Sequence, residues 1–463
     1  MTEVQSSRDL ATAAAEYATT LSVSEVPDSV REQLSLMILD TIGVCIRGSE
    51  TDYIRSVADG LVPLGRGPLN ESGASVFATG DRRDISQAAT LNAAAGTTLE
   101  LDEGNQRSAH LGIHTVTPAL AIAEQFDASR REFFDAVLAG YEVGARLGDV
   151  VRPMESGLHP HGAWAPVASA VAAGRLQNVD SNIMADAIRN AVTPFIVGHW
   201  KAALEGATIR NFYTGLSCQH GIMAVVLARQ GINGVYGAIE ECFLPYTAGN
   251  SVSEELLRPF ETFGEEFYIS SSYIKIHAAC RYTHAPIEAI AAIQDRVDFT
   301  PERISKIEVR TFELGTMLDQ RRPDSVLAAK FSTPFAVASK LCTGRSDVDA
   351  FTQESVEDEQ IQEISELVSV LADSRFEANA EEGKWGAEVS VRLTDGSTHT
   401  ETVRDARGGG KNSFTRQEVY EKFDSLVSSK FDEETSIELR NRIMNSGETK
   451  TVNDMIQPIV SAF

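Results

Sequence analysis

Along most of residues 8 to 265, apolar side chains recur every three or four positions, the spacing of helices that bury one face. Clear examples are Val30 to Ile46 and the alanine-rich stretches at 88–96, 118–126 and 166–175. Asp180 or Ser181 is suited to cap a helix that runs from Ile183 to Val192. Because small side chains let helices approach closely, this pattern predicts a large helical bundle.

The periodicity changes near residue 300. Ser305 to Leu314 alternates between apolar and polar residues as a strand does, and Gly386 to Val403 forms two alternating runs around Asp395-Gly396. An Asp-Gly pair between such runs predicts a hairpin with a primed turn. Two helical segments lie between these strands, Phe335 to Leu341 and Glu357 to Leu371.

Residues 415 to 463 return to the helical pattern. We therefore predict a mainly α protein with an inserted α+β domain. Residues 1–267 and 407–463 would form a large, discontinuous helical-bundle domain, and residues 268–406 a small α/β lid. The sequence GGGK at 408–411 lacks the strand–loop–helix frame of a phosphate loop and is interpreted as a linker.

Composition excludes several classes of function. A net charge of −25 provides no basic face of the kind that nucleic-acid binding needs. No apolar run reaches the roughly 20 residues that span a bilayer, and the amino terminus lacks the order of a signal peptide. The five cysteines are too scattered to indicate disulfides or an iron–sulfur cluster. We expect a cytoplasmic protein that binds neither nucleic acid nor membranes.

Charged residues concentrate between two core-forming helical segments, in the stretch from Thr97 to His114. The carboxylates and imidazoles of this stretch belong to Glu100, Asp102, Glu103, His110 and His114. Such groups are costly to bury unless they are paired or used in chemistry. A polar loop with one helix-capping carboxylate is the plainer alternative, and this stretch alone leaves both open.

Eight of the nine histidines lie between residues 110 and 284. His159 and His161 sit on a Gly/Pro loop before an alanine-rich helix, and the free N–H groups of a helix N-terminus suit an anion. Arg210 precedes a long apolar helix. The stretch from Tyr273 to His284 adds Lys275, His277, Arg281 and His284. In so acidic a chain this favours a small ligand with carboxylates, the alternative being an ordinary salt-bridge network.

A metal site is the competing interpretation of the histidines. His110 and His114 have a spacing that could ligate zinc on a helix. The HExxH pattern and a Cys/His quartet are both absent from the sequence. We expect no metal and no cofactor, and keep a metal-dependent hydrolase as an alternative.

Seven stretches occur in the order typical of the MmgE/PrpD family, which the chain resembles over nearly its whole length. They are LDTIGVCIRGSE (39–50), TTLELDEGN…AHLGIHTVTPALAIAE (97–124), GYEVGARLG (140–148), GLHPHGAWAPVASAVAAGRL (157–176), IRNFYTGLSCQHG (209–221), KIHAACRYTH (275–284) and AKFSTPFAVASKL (329–341). The resemblance implies a helical domain with a small α/β lid, usually a homodimer, and an active site between the two parts. It also implies dehydration, decarboxylation or epimerisation of a small di- or tricarboxylate.

The resemblance assigns roles to five residues. Glu100 and Asp102 match the acidic positions of the family's first site motif, and His110 matches its histidine. His159 matches the histidine of the second motif, and Lys275 the lysine of the lid motif.

The chain also departs from the family pattern. Arg210 stands where many members have lysine, Tyr213 where histidine is common, and Phe335 where a tyrosine could donate a proton. Smaller departures are Leu111, Ala278 and the pair Gly162-Ala163. These changes leave the anionic-ligand class intact and leave the substrate and the reaction open.

We hypothesise that His110 and His159 exchange protons with the substrate while Asp102 orients a histidine or a leaving hydroxyl. Together with Lys275 they form the predicted catalytic set. Arg210 would hold a carboxylate and stabilise the charge that develops beside it. Further predicted substrate-binding residues are Glu100, His161, Arg281 and His284.

The leading interpretation is a metal-independent hydro-lyase resembling 2-methylcitrate dehydratase. A decarboxylase of the cis-aconitate type and an epimerase of a substituted succinate need nearly the same residues, so they remain alternatives. A ligand-binding protein without turnover is the remaining one.

Overall fold

A computed structural model describes residues 9–69, 72–108, 110–151, 157–194, 198–247, 257–445 and 450–461. Residues 1–8 of the amino-terminal segment, Ala109 of the first site motif and residues 248–256 of the predicted helical region lie outside the described residues.

Helices form most of the described chain, as the apolar periodicity predicts. Before the lid they are α1 (Leu10–Thr20), α2 (Asp28–Gly48), α3 (Asp52–Leu61), α4 (Ile85–Thr98), α5 (Gly112–Phe126), α6 (Arg130–Val150), α7 (Pro160–Ala163), α8 (Ala165–Leu176), α9 (Ser181–Val192), α10 (Lys201–Leu204), α11 (Ile209–Arg229) and α12 (Leu244–Thr247). Asp180, and not Ser181, caps α9 by accepting hydrogen bonds from the backbone of Asn182 and Ile183.

Close approach of the central helices depends on small residues. A Cβ atom on Gly221 of α11 would lie 2.5 Å from Ser169 Cβ of α8, and one on Gly140 of α6 would lie 2.6 Å from the Ala168 oxygen of α8. Helix α8 is therefore packed against backbone on two sides. Its position places the short helix α7, which carries His161 and has His159 as its N-cap, inside the bundle. The sequence-based prediction of a loop at His161 is therefore wrong.

Two short antiparallel ribbons accompany the helices. Strands β1 (Ala74–Ser75) and β2 (Arg82–Arg83) form one, and β3 (Gly104–Asn105) and β4 (Ser272–Tyr273) form the other. In the second ribbon Gly104 pairs with Tyr273 and Asn105 with Ser272. This ribbon joins the acidic stretch after α4 to the start of the lid.

The lid combines a four-stranded sheet with helices. Its helices are α13 (His284–Arg296), α14 (Val326–Lys330), α15 (Thr333–Thr343), α16 (Gln353–Glu357), α17 (Glu359–Glu366) and α18 (Glu377–Glu381). Its strands are β5 (Ile304–Thr311), β6 (Val368–Ala372), β7 (Ala387–Leu393) and β8 (Thr398–Val403). The sheet order is β6-β5-β7-β8, with β5 parallel to β6 and the other neighbours antiparallel.

After the lid the chain returns to helices α19 (Arg416–Val427), α20 (Glu433–Met444) and α21 (Val452–Ser461). Buried apolar residues of these helices, such as Phe423 and Ile456, join the core of α1 to α11, whereas the sheet and its helices form a second core. The predicted fold class, mainly α with an inserted α+β domain, is confirmed. The domain boundaries at 267/268 and 406/407 stay predictions. None of the described helices has the length and hydropathy of a membrane span.

Two local predictions are wrong. The segment Glu357 to Leu371 is not one helix, because α17 ends at Glu366 and the chain then forms β6, whose β-branched residues pair with the distant β5. The hairpin does not close with a primed turn. The Gly396 N–H donates to the Leu393 carbonyl at 3.0 Å, so the turn is centred on Thr394 and Asp395, and only Gly396 after them has a positive φ, +90°.

Candidate active site

Glu100 occupies an unusual backbone position at the end of α4. It has a φ of +51°, in the left-handed region that glycine usually fills after a helix. For a residue with a Cβ atom this backbone conformation costs about 1 kcal/mol or more. The carboxylate of this residue is buried and lies between two cations.

The Glu100 carboxylate bridges two buried cations. Its Oε2 lies 2.7 Å from Arg210 Nη2, and its Oε1 accepts a hydrogen bond from Lys275 Nζ at 2.9 Å. Lys275 also donates to the Glu100 carbonyl at 3.1 Å. Burial alone would raise the pKa of Glu100, but the two cations outweigh it and hold that pKa below its ordinary value. Arg210 comes from the first turn of α11 and Lys275 from just after β4, so the bridge spans both parts of the protein.

Asp102 and His110 form a second pair. Asp102 Oδ2 lies 3.1 Å from His110 Nδ1, and the Glu103 carbonyl lies 2.8 Å from the same nitrogen. Two oxygens facing Nδ1 place the ring proton there and leave Nε2 to exchange a proton with a ligand. Burial raises the pKa of Asp102, but His110 and Lys275 together hold it below its ordinary value. Asp102 is therefore a carboxylate that orients an imidazole.

Three further histidines form a buried row beside this pair. The ring of His161 lies between those of His110 and His159, with ring centroids 5.1 Å and 4.6 Å away. His114, in the first turn of α5, contacts His161 through Nε2 and Nδ1 at 2.9 Å. Arg210 Nε lies 3.4 Å from His159 Nε2.

Burial keeps this row uncharged. It lowers the pKa of His114 to about 3 and, with Arg210 adding to the effect, holds the pKa of His159 well below its ordinary value. Burial and the neighbouring His159 do the same to the pKa of His161. His161 Nε2 is buried and has no hydrogen-bond partner among the described residues. A neutral imidazole with an unused nitrogen can accept a proton or bind a substrate group.

Lys330 of α14 is a third buried cation at this place. It donates to the Thr98 carbonyl at 2.8 Å, at the carboxyl end of α4. Burial lowers the pKa of Lys330 to about 8, although Glu100 opposes the effect. Three cations, Arg210, Lys275 and Lys330, thus accompany two carboxylates, Glu100 and Asp102, and the neutral histidines. The surplus positive charge suits an anionic ligand.

The structure brings together seven of the nine predicted site residues: Glu100, Asp102, His110, His159, His161, Arg210 and Lys275. Arg281 and His284 have other hydrogen-bond partners among the described residues. Arg281 donates to the carbonyls of Ala406 and Arg407 at 2.7 Å and 2.6 Å, and His284 contacts Arg281 at 3.3 Å. Their described contacts hold the end of the lid to its beginning, and their role in substrate binding stays a prediction.

Sequence reasoning did not single out the residues that support the site. Tyr141 of α6 donates a hydrogen bond to the Glu103 carboxyl, whose other oxygen accepts from the Gly112 N–H that begins α5. Burial raises the pKa of Glu103 to about 8. Lys422 of α19 pairs with the buried Asp40 at 2.5 Å. These residues lie far apart in sequence, so no local pattern connects them. Lys330 lies within the motif at 329–341, but its position there did not indicate a role in the site.

Asp102, His110 and His161 could also hold a metal ion, since one ligand atom from each lies within 4.8 Å of the others. The pair His110 and His114 considered from the sequence does not form this group, because α5 begins only at Gly112. A metal-independent reaction without a cofactor stays a prediction.

The large helical bundle, the small α/β lid and the buried group of histidines and cations define the chain as a mainly α protein with an inserted α+β domain. The chain belongs to the MmgE/PrpD family, whose N-terminal domain matches residues 12–246 and whose C-terminal domain matches residues 277–445. The family resemblance is thereby confirmed.

Curated relatives share the length of the chain. The cis-aconitate decarboxylase of Aspergillus terreus is 22% identical over 471 residues, covering 95% of this chain and 94% of that protein. The cis-aconitate decarboxylases of Mus musculus and Homo sapiens are 22% and 23% identical, each over 88% of this chain and over 84% and 85% of their own lengths.

Removing the Glu100 charge tests the bridge. In Glu100→Gln the two buried cations lose their anion, so we expect the free energy of unfolding, measured by urea denaturation, to fall by about 3–5 kcal/mol. Glu308→Gln is the matched control, because Glu308 also lies between two cations, Lys306 at 2.9 Å and Arg310 at 2.6 Å, but on the surface of the lid. The control should lose less than about 1 kcal/mol. Equal losses would contradict the importance of the buried bridge.

The neutral histidine row predicts a pH dependence. Below about pH 6.5 a histidine of the unfolded chain binds a proton, whereas the same histidine buried in the folded protein does not. Each buried histidine therefore lowers the free energy of unfolding as the pH falls. Glu103, with its raised pKa, has the opposite effect on stability as the pH falls. The test therefore compares the free energies of unfolding of the wild type and a histidine variant at each pH. Between pH 6.5 and 5 the wild type should lose about 1.4 kcal/mol per pH unit relative to His161→Gln. Parallel stability curves would show that His161 titrates normally; His399→Gln in β8 is the control.

Proposed function

We propose that the protein is a lyase that acts on a small polycarboxylate by acid/base chemistry, and that its reaction is decarboxylation of an unsaturated tricarboxylate of the cis-aconitate type. The observation that carries the proposal is the group formed by the Asp102–His110 pair, the neutral His159 and the cations Arg210 and Lys275. The names of the relatives favour decarboxylation over the other reactions of the family.

The cations supply the binding energy and the electrostatics. Arg210 Nη1 makes only long contacts, 3.5 Å to the Thr97 carbonyl and 3.4 Å to Asn211 Oδ1, so it can turn to a substrate carboxylate. A guanidinium binds a carboxylate through two parallel hydrogen bonds. Lys275 and Lys330 add compact positive charges. In a buried site these charges stabilise the negative charge that develops when a bond beside a carboxylate breaks.

His110 is suited to supply the proton. It is the partly exposed member of the histidine group, with 13% of its side chain accessible, and Asp102 lies against its Nδ1. When the carbon–carbon bond to a carboxylate breaks, its electron pair forms a new double bond and the former double bond takes up a proton. The products are carbon dioxide and an unsaturated dicarboxylate. A positioned imidazole typically contributes a factor of about 10² to 10⁴ to such a proton transfer.

Dehydration of a 2-methylcitrate-type substrate is the second candidate. It needs a base for a carbon-bound proton and an acid for the leaving hydroxyl. His159, kept neutral by burial and Arg210, is suited to be the base, and His110 to be the acid. The presence of both groups in one site is the observation that favours this reaction.

We further propose that the protein is a homodimer through α11. Exposed apolar residues recur on this helix at Ile209, Leu216, Met223, Val226 and Leu227. An exposed apolar stripe of this kind marks an interaction surface. The same helix carries Arg210 in its first turn, so a second copy would pack behind the site. All five cysteines are free, which fits a cytoplasmic location.

Substitution of the two histidines tests the function. His110→Ala and His159→Ala should each lower turnover about a hundredfold or more, whereas His399→Ala should not. Turnover is followed by proton NMR in deuterated water with cis-aconitate, 2-methylcitrate and substituted succinates. Carbon dioxide loss, water loss and deuterium exchange without net change identify decarboxylase, dehydratase and epimerase. Full activity of either variant, or loss of activity on chelation, would contradict the proposed mechanism.

The dimer has its own test. Met223→Glu should shift the mass measured by light scattering from two chains to one, because a charge in an apolar interface is costly. Leu371→Glu, which adds the same charge to an exposed leucine of β6, is the control. A wild type that is monomeric would contradict the proposal.

A further inference from the structure

A cavity of about 740 Å³ lies at the amino ends of three helices, and none of the site residues described above lines it. Its wall includes Arg31 of α2, Arg130 and Arg131 of α6, and Arg416 of α19. Its volume is in the range of small-molecule sites.

The charge of this cavity is opposite to that of the protein. Of the residues that the structure describes, five cationic ones line it against two acidic ones, Asp28 and Glu32, in a chain of net charge −25. The amino ends of α2, α6 and α19 add the positive ends of their helix dipoles. Asp28 already pairs with Arg31, and Glu32 pairs with Arg416 at 2.7 Å. Arg131 lies 3.8 Å from Asp135, which does not line the cavity. Among the described lining residues, no acidic group is left for Arg130 and Lys450.

Arg130 is the most informative residue of the cavity. It donates to the Ile443 carbonyl at 2.6 Å and lies 3.8 Å from the centre of the Phe134 ring. In the part of the chain that the structure describes, it has no carboxylate partner, and its buried Nε has no hydrogen-bond acceptor. Burial lowers the pKa of Arg130 to about 10, so the group stays charged at neutral pH while partly desolvated. Burying a cation without a nearby anion costs folding free energy unless a bound ligand provides the negative charge.

Lys450 completes the basic wall. It is exposed, and among the described residues it makes no ion pair. The apolar part of the lining is formed by Val23, Leu34, Phe134 and Met444. A ligand that satisfies both parts carries two or more negative charges and a short apolar body.

We propose that this cavity binds a small organic polyanion, phosphorylated or polycarboxylate, at a site separate from the active site. Arg130 and Lys450 bind the anionic groups, and Phe134 and Leu34 contact the apolar body. The proposal does not depend on the reaction that the active site catalyses.

Calorimetric titration of the full chain tests this site with two probes, inorganic pyrophosphate and tricarballylate. At least one should bind, and binding should weaken as salt is added. Arg130→Gln and Lys450→Gln should each weaken it about tenfold or more, because each removes a charge-assisted hydrogen bond. Arg322→Gln, which removes an equal charge from the exposed surface of the lid, should leave it unchanged.

The remaining variants show whether the probes bind in this cavity or in the active site. Arg210→Gln should not affect binding if the cavity is the site. Binding by neither probe at millimolar concentration, equal weakening by Arg322→Gln, or weakening by Arg210→Gln alone would overturn the proposal. Should Arg130→Gln fail to fold, Lys450→Gln decides, since that side chain is exposed and has no described ion pair.

Discussion

The bridge from Arg210 through Glu100 to Lys275 is the interaction on which the rest of the site depends. The two cations come from different parts of the protein, and the carboxylate between them is buried on a strained backbone. A buried charge without a partner costs several kcal/mol, so each member fixes the position of the other two. The ribbon of β3 and β4 reinforces this geometry by joining the chain on either side. The ion bridge and the ribbon together therefore hold the lid segment that carries Lys275 against the helical domain.

Around the bridge, burial sorts the histidines by protonation. Those in the row are buried and form no ion pair with a described carboxylate, and they stay neutral beside Arg210. His110 lies at the edge of the group, where Asp102 and a carbonyl fix its ring. One set of identical side chains thus supplies groups of different proton affinity within a few ångströms, as acid/base chemistry requires.

Local physics accounts for what could be predicted from the sequence. Apolar periodicity located the helices because it reports a property of each segment, and candidate site residues could be predicted because they cluster in a few short motifs. Strand β6 was missed because its structure depends on pairing with β5, about 60 residues away. Tyr141, Lys422 and Lys330 were missed for the same reason, since only the fold brings them to the site. The hairpin turn was misassigned because two kinds of turn share the sequence Asp-Gly. In a primed turn the glycine is one of the two central residues, whereas here it follows them.

The bridge at Glu100 also has a kinetic consequence. If the lid separates from the helical domain, Lys275 leaves Glu100, and its charge is briefly left without its counterion in a dry environment. A substrate carboxylate that enters at that moment can take the vacated place and lower the barrier to reopening. An incoming anion can therefore replace a member of the ion bridge and separate the two parts, whereas a neutral molecule of the same shape cannot do so.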